Sequence, residues 1–391
     1  MSDKLTLDDL TAASKYGGPS AYSFRQTLET IDGTGIVAPS TYDAGRYNFQ
    51  TRVGADGSPV SGVSIDSKAS HLNRMEDGVT ELLEEGHSLL SKVNRVQVTY
   101  PTAGVFTELA FPGKLFDTHI RAARDAVSGD IIDRDPRYIA ASVDGVGRDT
   151  AMLEFSPSTR VLGAWESRRP HGTKFASIIR GETFGELADQ TRAADTGVFL
   201  QRANKAGGWR SDPTMRGDLD KSEDNKVKTL VKSLAAELTV TAKTAKSEKA
   251  SNIGLGNVGA SGAVGVACRL VTRVSSINLA LLRGVKLGGA AEDDIAVRRV
   301  LLAYMLVLEA AGAAQSHYRA GASFIHTNPI MRIDLREVPP LTLEDSFDLL
   351  DSAIAAAKGV PCGFEGNVHE AHGHPGIEEL ILRERDKGED S

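Results

Sequence analysis

Aromatic residues are scarce, 6% of 391, and cysteine occurs only at positions 268 and 362. Stacking of bases or sugars on side-chain rings therefore cannot be widespread. The two cysteines lie far apart with no C-x-x-C pairing, which fits a reducing cytoplasm. Long apolar runs are missing too. The longest, VLLAYMLVLEAAGAA, is broken by Glu309 and too short to span a bilayer, so it predicts a buried helix and no membrane association. The opening MSDKLTLDDL has no basic stretch ahead of an apolar core, so no secretory signal is expected. No Gly-Lys-Ser or Gly-Lys-Thr occurs, which excludes a Walker A loop, and G-x-S-x-G is absent.

What is present is an ordinary soluble composition, 41% hydrophobic and 25% charged, with a net charge of −7. That charge argues against indiscriminate coating of nucleic acid, yet it leaves room for a local basic groove. Part of the acidity is terminal, in GIEELILRERDKGEDS. At roughly 150 residues per domain, the length suggests two domains or one enlarged by insertions.

Residues 46–53 have strand composition. Asp66 or Ser67 is placed to N-cap a helix whose stripe runs through Ala69, Leu72, Met75, Val79, Leu82 and Leu83. RVQVTYP reads as a strand and 114–127 as a helix. The polar, turn-rich 191–225 is the expected long insertion. LAAELTVTAK and AVGVACRLVTRV have strand character, INLALLRG is a short helix, and DDIAVRRVLLAYMLVLEAAGAAQSHYRAG a long buried one. IMRIDLREV is a strand, and TLEDSFDLLDSAIAAAKG a last helix closed by Gly359. Helices threading between strands predict an α+β fold, with ferredoxin-like halves among the candidates.

Three stretches suit anions. Gly254, Gly256 and Gly259 spell G-x-G-x-x-G, but KTAKSEKASNI precedes them and the nearest downstream acid is Glu292, so the dinucleotide fingerprint fails on context. The loop still lets backbone approach a ligand closely, and Lys243, Lys246 and Lys249 stand upstream. Lys68, His71, Asn73 and Arg74 occupy the first turns of the capped helix, where unpaired N–H groups favour an anion. Arg160, Arg168, Arg169, Lys174 and Arg180 form the densest basic cluster, with Trp165 and His171 interleaved. His369, His372 and His374 resemble a metal cluster but lack a helical H-E-x-x-H spacing and a completing ligand, so neither metal nor cofactor is expected.

Taken together, three motifs carry a resemblance. SIDSKASHLNRMED, with Ser70, Asn73 and Arg74, resembles the helix motif of the backbone subunit of type I-G (formerly I-U) CRISPR Cascade complexes. SPSTRVLGAWES followed by KFASIIRGE is similar to that subunit's Ser-Pro-Thr, Gly-x-Trp-x-Ser and Lys-Phe…Arg…Glu block, here including Trp165, Ser167, Lys174 and Arg180. NIGLGNVGASGAVG leading into SSINLALLRGVKL resembles its glycine loop and following helix. Ser158 stands where the family has threonine, the loop after Val258 lacks the Gly-Gly pair, and 361–391 matches nothing in the family.

This Cas-seven type, RAMP-superfamily resemblance implies a modified RRM-like core over 46–360, with a β-thumb at 128–150 or 191–225, and a C-terminal extension over 361–391. It implies a non-enzymatic subunit that polymerises along a guide RNA (crRNA) in the cytoplasm and displays it for pairing with target DNA. Its partners would be further copies of itself, a guide-processing or end-cap subunit and a large subunit. Lys68, Ser70, Asn73 and Arg74 would hold guide phosphate at the helix end. Ser167, Arg168, Arg169, Lys174 and Arg180 would line the groove, with Trp165 packed nearby. Gly254, Gly256 and Asn257 would offer backbone contacts. The alternative is a metal-dependent RNase of target RNA using loop aspartates such as Asp130, Asp133 and Asp135.

Overall fold

The computed structural model describes residues 4–42, 46–54, 56–190, 225–237, 265–319 and 321–389. It divides into two units, residues 1–191 with 267–378, and residues 192–266 with 379–391. In the second unit the described residues include helix Asn225–Glu237. The main elements of the first are, in chain order, helix α1 (Leu7–Ser14), strands β1 (Ala21–Thr30), β2 (Phe49–Val53) and β3 (Pro59–Asp66), and helix α2 (Lys68–Glu84). Strand β4 (Arg95–Tyr100) and helices α3 (Pro136–Ser142), α4 (Arg148–Phe155) and α5 (Pro157–Leu162) follow. Then come β5 (Ile179–Leu187), β6 (Val266–Asn278), helix α6 (Ala291–Ala314), β7 (Ala322–Ile333), helix α7 (Leu343–Ala356) and β8 (Val368–His372).

The large sheet runs β7-β1-β6-β5-β3-β2, every pair antiparallel, with His317–Arg319 outside β7. Four of these strands form the core unit. Helix α2 lies between β1 and β5 in sequence and α6 between β6 and β7, and the strands stand in the spatial order fourth, first, third, second. That is the β-α-β-β-α-β arrangement of a ferredoxin-like, RRM-like fold. The expected α+β class holds. The sheet begins at Ala21, ahead of residue 46, and the hairpin β2–β3 widens it on the β5 edge.

Period-two alternation gives each core strand one face for the helices and one for solvent. Ile333, Tyr22, Ile277 and Ile179 form one row across the helix-facing side, all buried. Each contributes about 1.5–3 kcal/mol by leaving water. In the next row, Met331, Phe24, Ser275 and Gly181, the glycine is required: a Cβ on Gly181 would lie 2.2 Å from His71 Nε2 of α2. The two core helices press on each other through a similar exchange. A Cβ at Gly78 of α2 would meet the Ala311 carbonyl oxygen at 2.9 Å, and one at Gly312 of α6 would meet Met75 Cγ at 2.8 Å.

One row further, the fully buried Arg273 of β6 donates to both carboxylate oxygens of Glu309 on α6, Nη2 to Oε2 at 3.2 Å. Ser67, not Asp66, caps α2, accepting from the Ser70 N–H, and Gly86 turns the chain away at φ 83°. Helix α6 is buried on nearly every side and carries Glu292, Asp293 and Asp294 at its positive end. Thr342 and Asp345 close a capping box on α7.

Several expectations need correction. LAAELTVTAK, expected as a strand, begins in a helix that runs through Glu237, and IMRIDLREV is a hairpin that turns at Asp334, φ 50°, between two antiparallel strands. The helix expected over 114–127 is a 3-10 turn (Lys114–Phe116), one helical turn (Thr118–Arg121) and a strand residue pair (Arg124–Asp125). Lys114 takes a left-handed φ of 48°, and Asp117 is extended so that its carboxylate accepts the Gly113 and His119 N–H groups, which interrupts the helix. Within the C-terminal extension, residues 368–372 form a strand. Strand β8 lies within a second sheet, parallel to β4 and antiparallel to Arg124–Asp125. The thumb candidate 128–150 holds a 3-10 turn, α3 and the start of α4. The other, 191–225, lies almost wholly outside the described residues.

Glu108 ties the second sheet to the helices, accepting from the Val96 N–H at 3.0 Å and the Ser156 hydroxyl at 2.8 Å. Complete burial pushes its carboxyl up to about 7 from an ordinary 4.5. The folded protein therefore holds this proton more tightly than the unfolded chain, and the group's contribution, full below pH 4.5, is lost as pH rises through 7. Wild type should lose about 3 kcal/mol relative to Glu108→Gln between pH 4.5 and 7.5 in urea titrations. Parallel pH profiles would refute this. Glu309→Ala, which strands Arg273, should cost about 3–5 kcal/mol by the same measurement.

Candidate functional site

The solvent-facing side of the four core strands can be read row by row from the register. Arg332, Ser23, Ser276 and Arg180 stand side by side across β7, β1, β6 and β5. Ile330, Arg25, Val274 and Glu182 form the next row, then Thr327, Thr27, Thr272 and Phe184. The first two rows floor a cleft of about 450 Å³, and Lys68 reaches it from the first turn of α2. Lys68 follows two residues after Asp66 of β3, which stands opposite Thr183 of β5, and it lines the same cleft as Arg180.

The electrostatics of this cleft set it apart from an acidic chain. Arg25, Lys68 and Arg180 are exposed and form no ion pair with other described residues. Arg332 meets Glu337 at 3.3 Å, but both side chains are at least half exposed, and such pairs hold weakly. The single acid among the described residues lining the cleft, Glu182, is neutralised by Arg52, which grips both its oxygens at 2.9 and 3.0 Å. Four cations thus face one compensated carboxylate. Phosphate-bearing ligands fit such a surface.

The residues expected at the helix end divide. Lys68 faces the cleft and Asn73 is exposed. Arg74 is a brace: its Nε and Nη2 donate to buried Asp66 at 3.0 and 2.9 Å, Nη2 lies 3.4 Å from Ser70 Oγ, and its guanidinium covers the Tyr318 ring at 3.9 Å. His71 points into the core, where burial and then Arg273 and Arg74 push its imidazole down to about 2, so it is neutral and no anion ligand.

The basic cluster divides as well. Arg160 is buried on Asp149, and Arg169 is bound to the side chain and carbonyl of Asp133 at 2.6 and 2.7 Å. Trp165 and Lys174 pair across a two-residue hairpin, the ammonium 5.3 Å from the exposed indole, and Ser167 and Arg168 at its tip are exposed. Of the cluster, Arg180 alone lines the cleft. Gly254, Gly256 and Asn257 lie outside the described residues, as do Lys243, Lys246 and Lys249.

Sequence reasoning missed Arg25 and Arg332, whose only signal was a cation alternating with apolar residues in YSFRQ and IMRID. Of the aspartates of the nuclease alternative, Asp133 takes Arg121 and Arg169, Asp135 caps α3, and Asp130 is exposed. His369 bonds the Glu154 carbonyl at 3.1 Å and His374 accepts the Gly376 N–H. No group of three metal-ligating side chains is assembled among the described residues. Nor is any helix among them long and apolar enough to cross a membrane.

Residues 22–190 match the family described as CRISPR-associated protein GSU0053 (Cas_GSU0053). The matched span contains Ser23, Arg25, Lys68 and Arg180 of the cleft and stops short of Ser276 and Arg332. The match covers less than half of the chain, and over that span the chain is similar to this CRISPR-associated family. No curated protein matches the chain.

Brace and available cation separate in a melting experiment. Arg74→Ala leaves Asp66 buried with Arg319 at 3.9 Å as its nearest remaining cation, and should cost on the order of 3 kcal/mol. Lys68→Ala should stay within about 0.5 kcal/mol of wild type. Equal losses would contradict the assignment.

Proposed function

We propose that the chain is a non-enzymatic subunit that binds a guide RNA (crRNA) in a CRISPR interference complex. The observation that carries this reading is the convergence of Arg25, Lys68, Arg180 and Arg332 on the open face of an RRM-like sheet. The family match supplies the biological setting. Cations spaced over several strands track an extended polyanion better than a compact ligand.

Phe24 lines the cleft from the helix-facing row and packs against the core. Phe184, the aromatic of the third row on the open face, is covered by Arg52 at 3.8 Å from its centroid. The cleft therefore holds backbone rather than bases, leaving bases to pair with a target DNA strand. In this reading further copies of the chain lie along the same guide, joined by the end-cap and large subunits of a Cascade-type assembly in the cytoplasm. Trp165, Arg168 and Lys174 extend the guide path beyond the sheet. Arg74, Ser70 and Arg169 position the scaffold around it.

Binding of single-stranded RNA should weaken with salt, log K falling by about 0.7 per phosphate contacted for each tenfold rise. Arg25→Ala with Arg180→Ala should lower affinity and reduce that slope by about 1.4. An unchanged slope and affinity in fluorescence anisotropy would remove the cleft from the RNA path.

A further inference from the structure

The turn that follows α2 and one face of α7 line a groove of about 710 Å³. Its floor is apolar: Leu82, Leu89 and Phe347 line it, and His87 stacks on the Phe347 ring with centroids 3.7 Å apart. Its rim is acidic. Glu344, Asp348 and Asp351 recur at i, i+4 and i+7 and therefore share one face of α7. Asp351 has Lys92 at 3.7 Å, whereas Glu344 and Asp348, both exposed, pair with no described cation. The positive helix end accounts for Glu344 in the first turn but not for Asp348, a turn further in. Like charges one turn apart weaken a helix, so this face gains from a cationic cover.

The complementary surface is the hairpin of residues 164–175. Trp165 is 62% exposed, Lys174 stands opposite it with its ammonium 5.3 Å from the ring, and Arg168 is exposed near the tip. Neither cation forms an ion pair with another described residue, and the hairpin's one carboxylate, Glu166, is buried and held by Arg121. An exposed indole with two free cations thus matches an apolar floor with two free carboxylates. Tryptophan and arginine are also the side chains that most often anchor a protein interface. We propose that, without RNA, the hairpin of one copy docks in the α2–α7 groove of a second copy. The two surfaces share no residue, so the contact is head-to-tail, and a docked pair leaves one groove and one hairpin free. It is a contact of protein on protein, distinct from the alignment of copies along a guide, and it stands whether or not the guide-binding reading does. A guide lying over Trp165, Arg168 and Lys174 takes the place of the groove.

The test is sedimentation velocity of the full chain after RNase treatment. The weight-average sedimentation coefficient should rise with protein concentration, and the association should weaken as salt is raised, since the charges that close it are exposed. Trp165→Ala should weaken self-association roughly 30-fold. A groove variant, Glu344→Lys with Asp348→Lys, and a hairpin variant, Arg168→Glu with Lys174→Glu, should each be monomeric alone. Mixed in equal amounts they should form a dimer and nothing larger, because the first keeps its hairpin and the second its groove. The chain carrying all four substitutions, with the two charges exchanged, should associate again, which separates a lost contact from a misfolded protein. Wild type that stays monomeric throughout, a groove or hairpin variant that associates as wild type does, or a mixture in which the two variants ignore each other would overturn the proposal.

Discussion

Residue 181 has no side chain, and the packing of α2 beside the candidate site depends on that. Because His71 comes within 2.2 Å of where a Cβ would stand, α2 lies against β5 more closely than any other residue would allow. Lys68, in the first turn of that helix, lines the same cleft as Arg180, one residue before the glycine. The buried layer and the charged one thus adjoin at this glycine. The neutral state of His71 belongs to the same constraint, since a second positive charge beside Arg273 would be costly in so enclosed a place.

The chain spends several of its cations on itself. Arg74, Arg160, Arg169 and Arg273 each answer a carboxylate on another element: Asp66, Asp149, Asp133 and Glu309. These pairs do not advertise a ligand; they specify how helices and strands meet, and the buried ones would be expensive to break singly. What distinguishes the cleft is the lack of such compensation. Charge density alone, read along 160–180, could not separate the two kinds of arginine, because partners such as Asp133 lie tens of residues away.

Legibility followed the range of the information. Helix α2 with its serine cap, the buried α6 and strand β6 could be read locally, since capping and apolar periodicity are written in neighbouring residues. Strand β1 could not. Its helix-facing positions are Tyr22, Phe24, Gln26 and Leu28, and glutamine breaks the alternation at the point where it pairs with Arg273. Its outer positions, Ser23, Arg25 and Thr27, are polar because that face is left uncovered, so the feature that makes β1 useful also hid it. Arg332 was obscured for the same reason, and the row linking it to Arg180 exists only through the register of four strands. At Lys114 an ordinary-looking apolar period was overruled by backbone conformation, which side-chain pattern does not encode.

The scarcity of aromatics noted in the composition acquires a structural counterpart on this sheet. An RRM-like face can recognise nucleic acid by stacking bases on exposed rings. Here the corresponding floor carries serine, threonine, arginine and valine, and the one ring within the third row lies under a guanidinium that is itself clamped by Glu182 and by Gln50 at 3.0 Å. Opening that ring would require breaking a bidentate ion pair and leaving Glu182 uncompensated among cations that then compete for it. In the guide-binding reading proposed above, such a floor suits a ligand held through its charge with its bases turned outward.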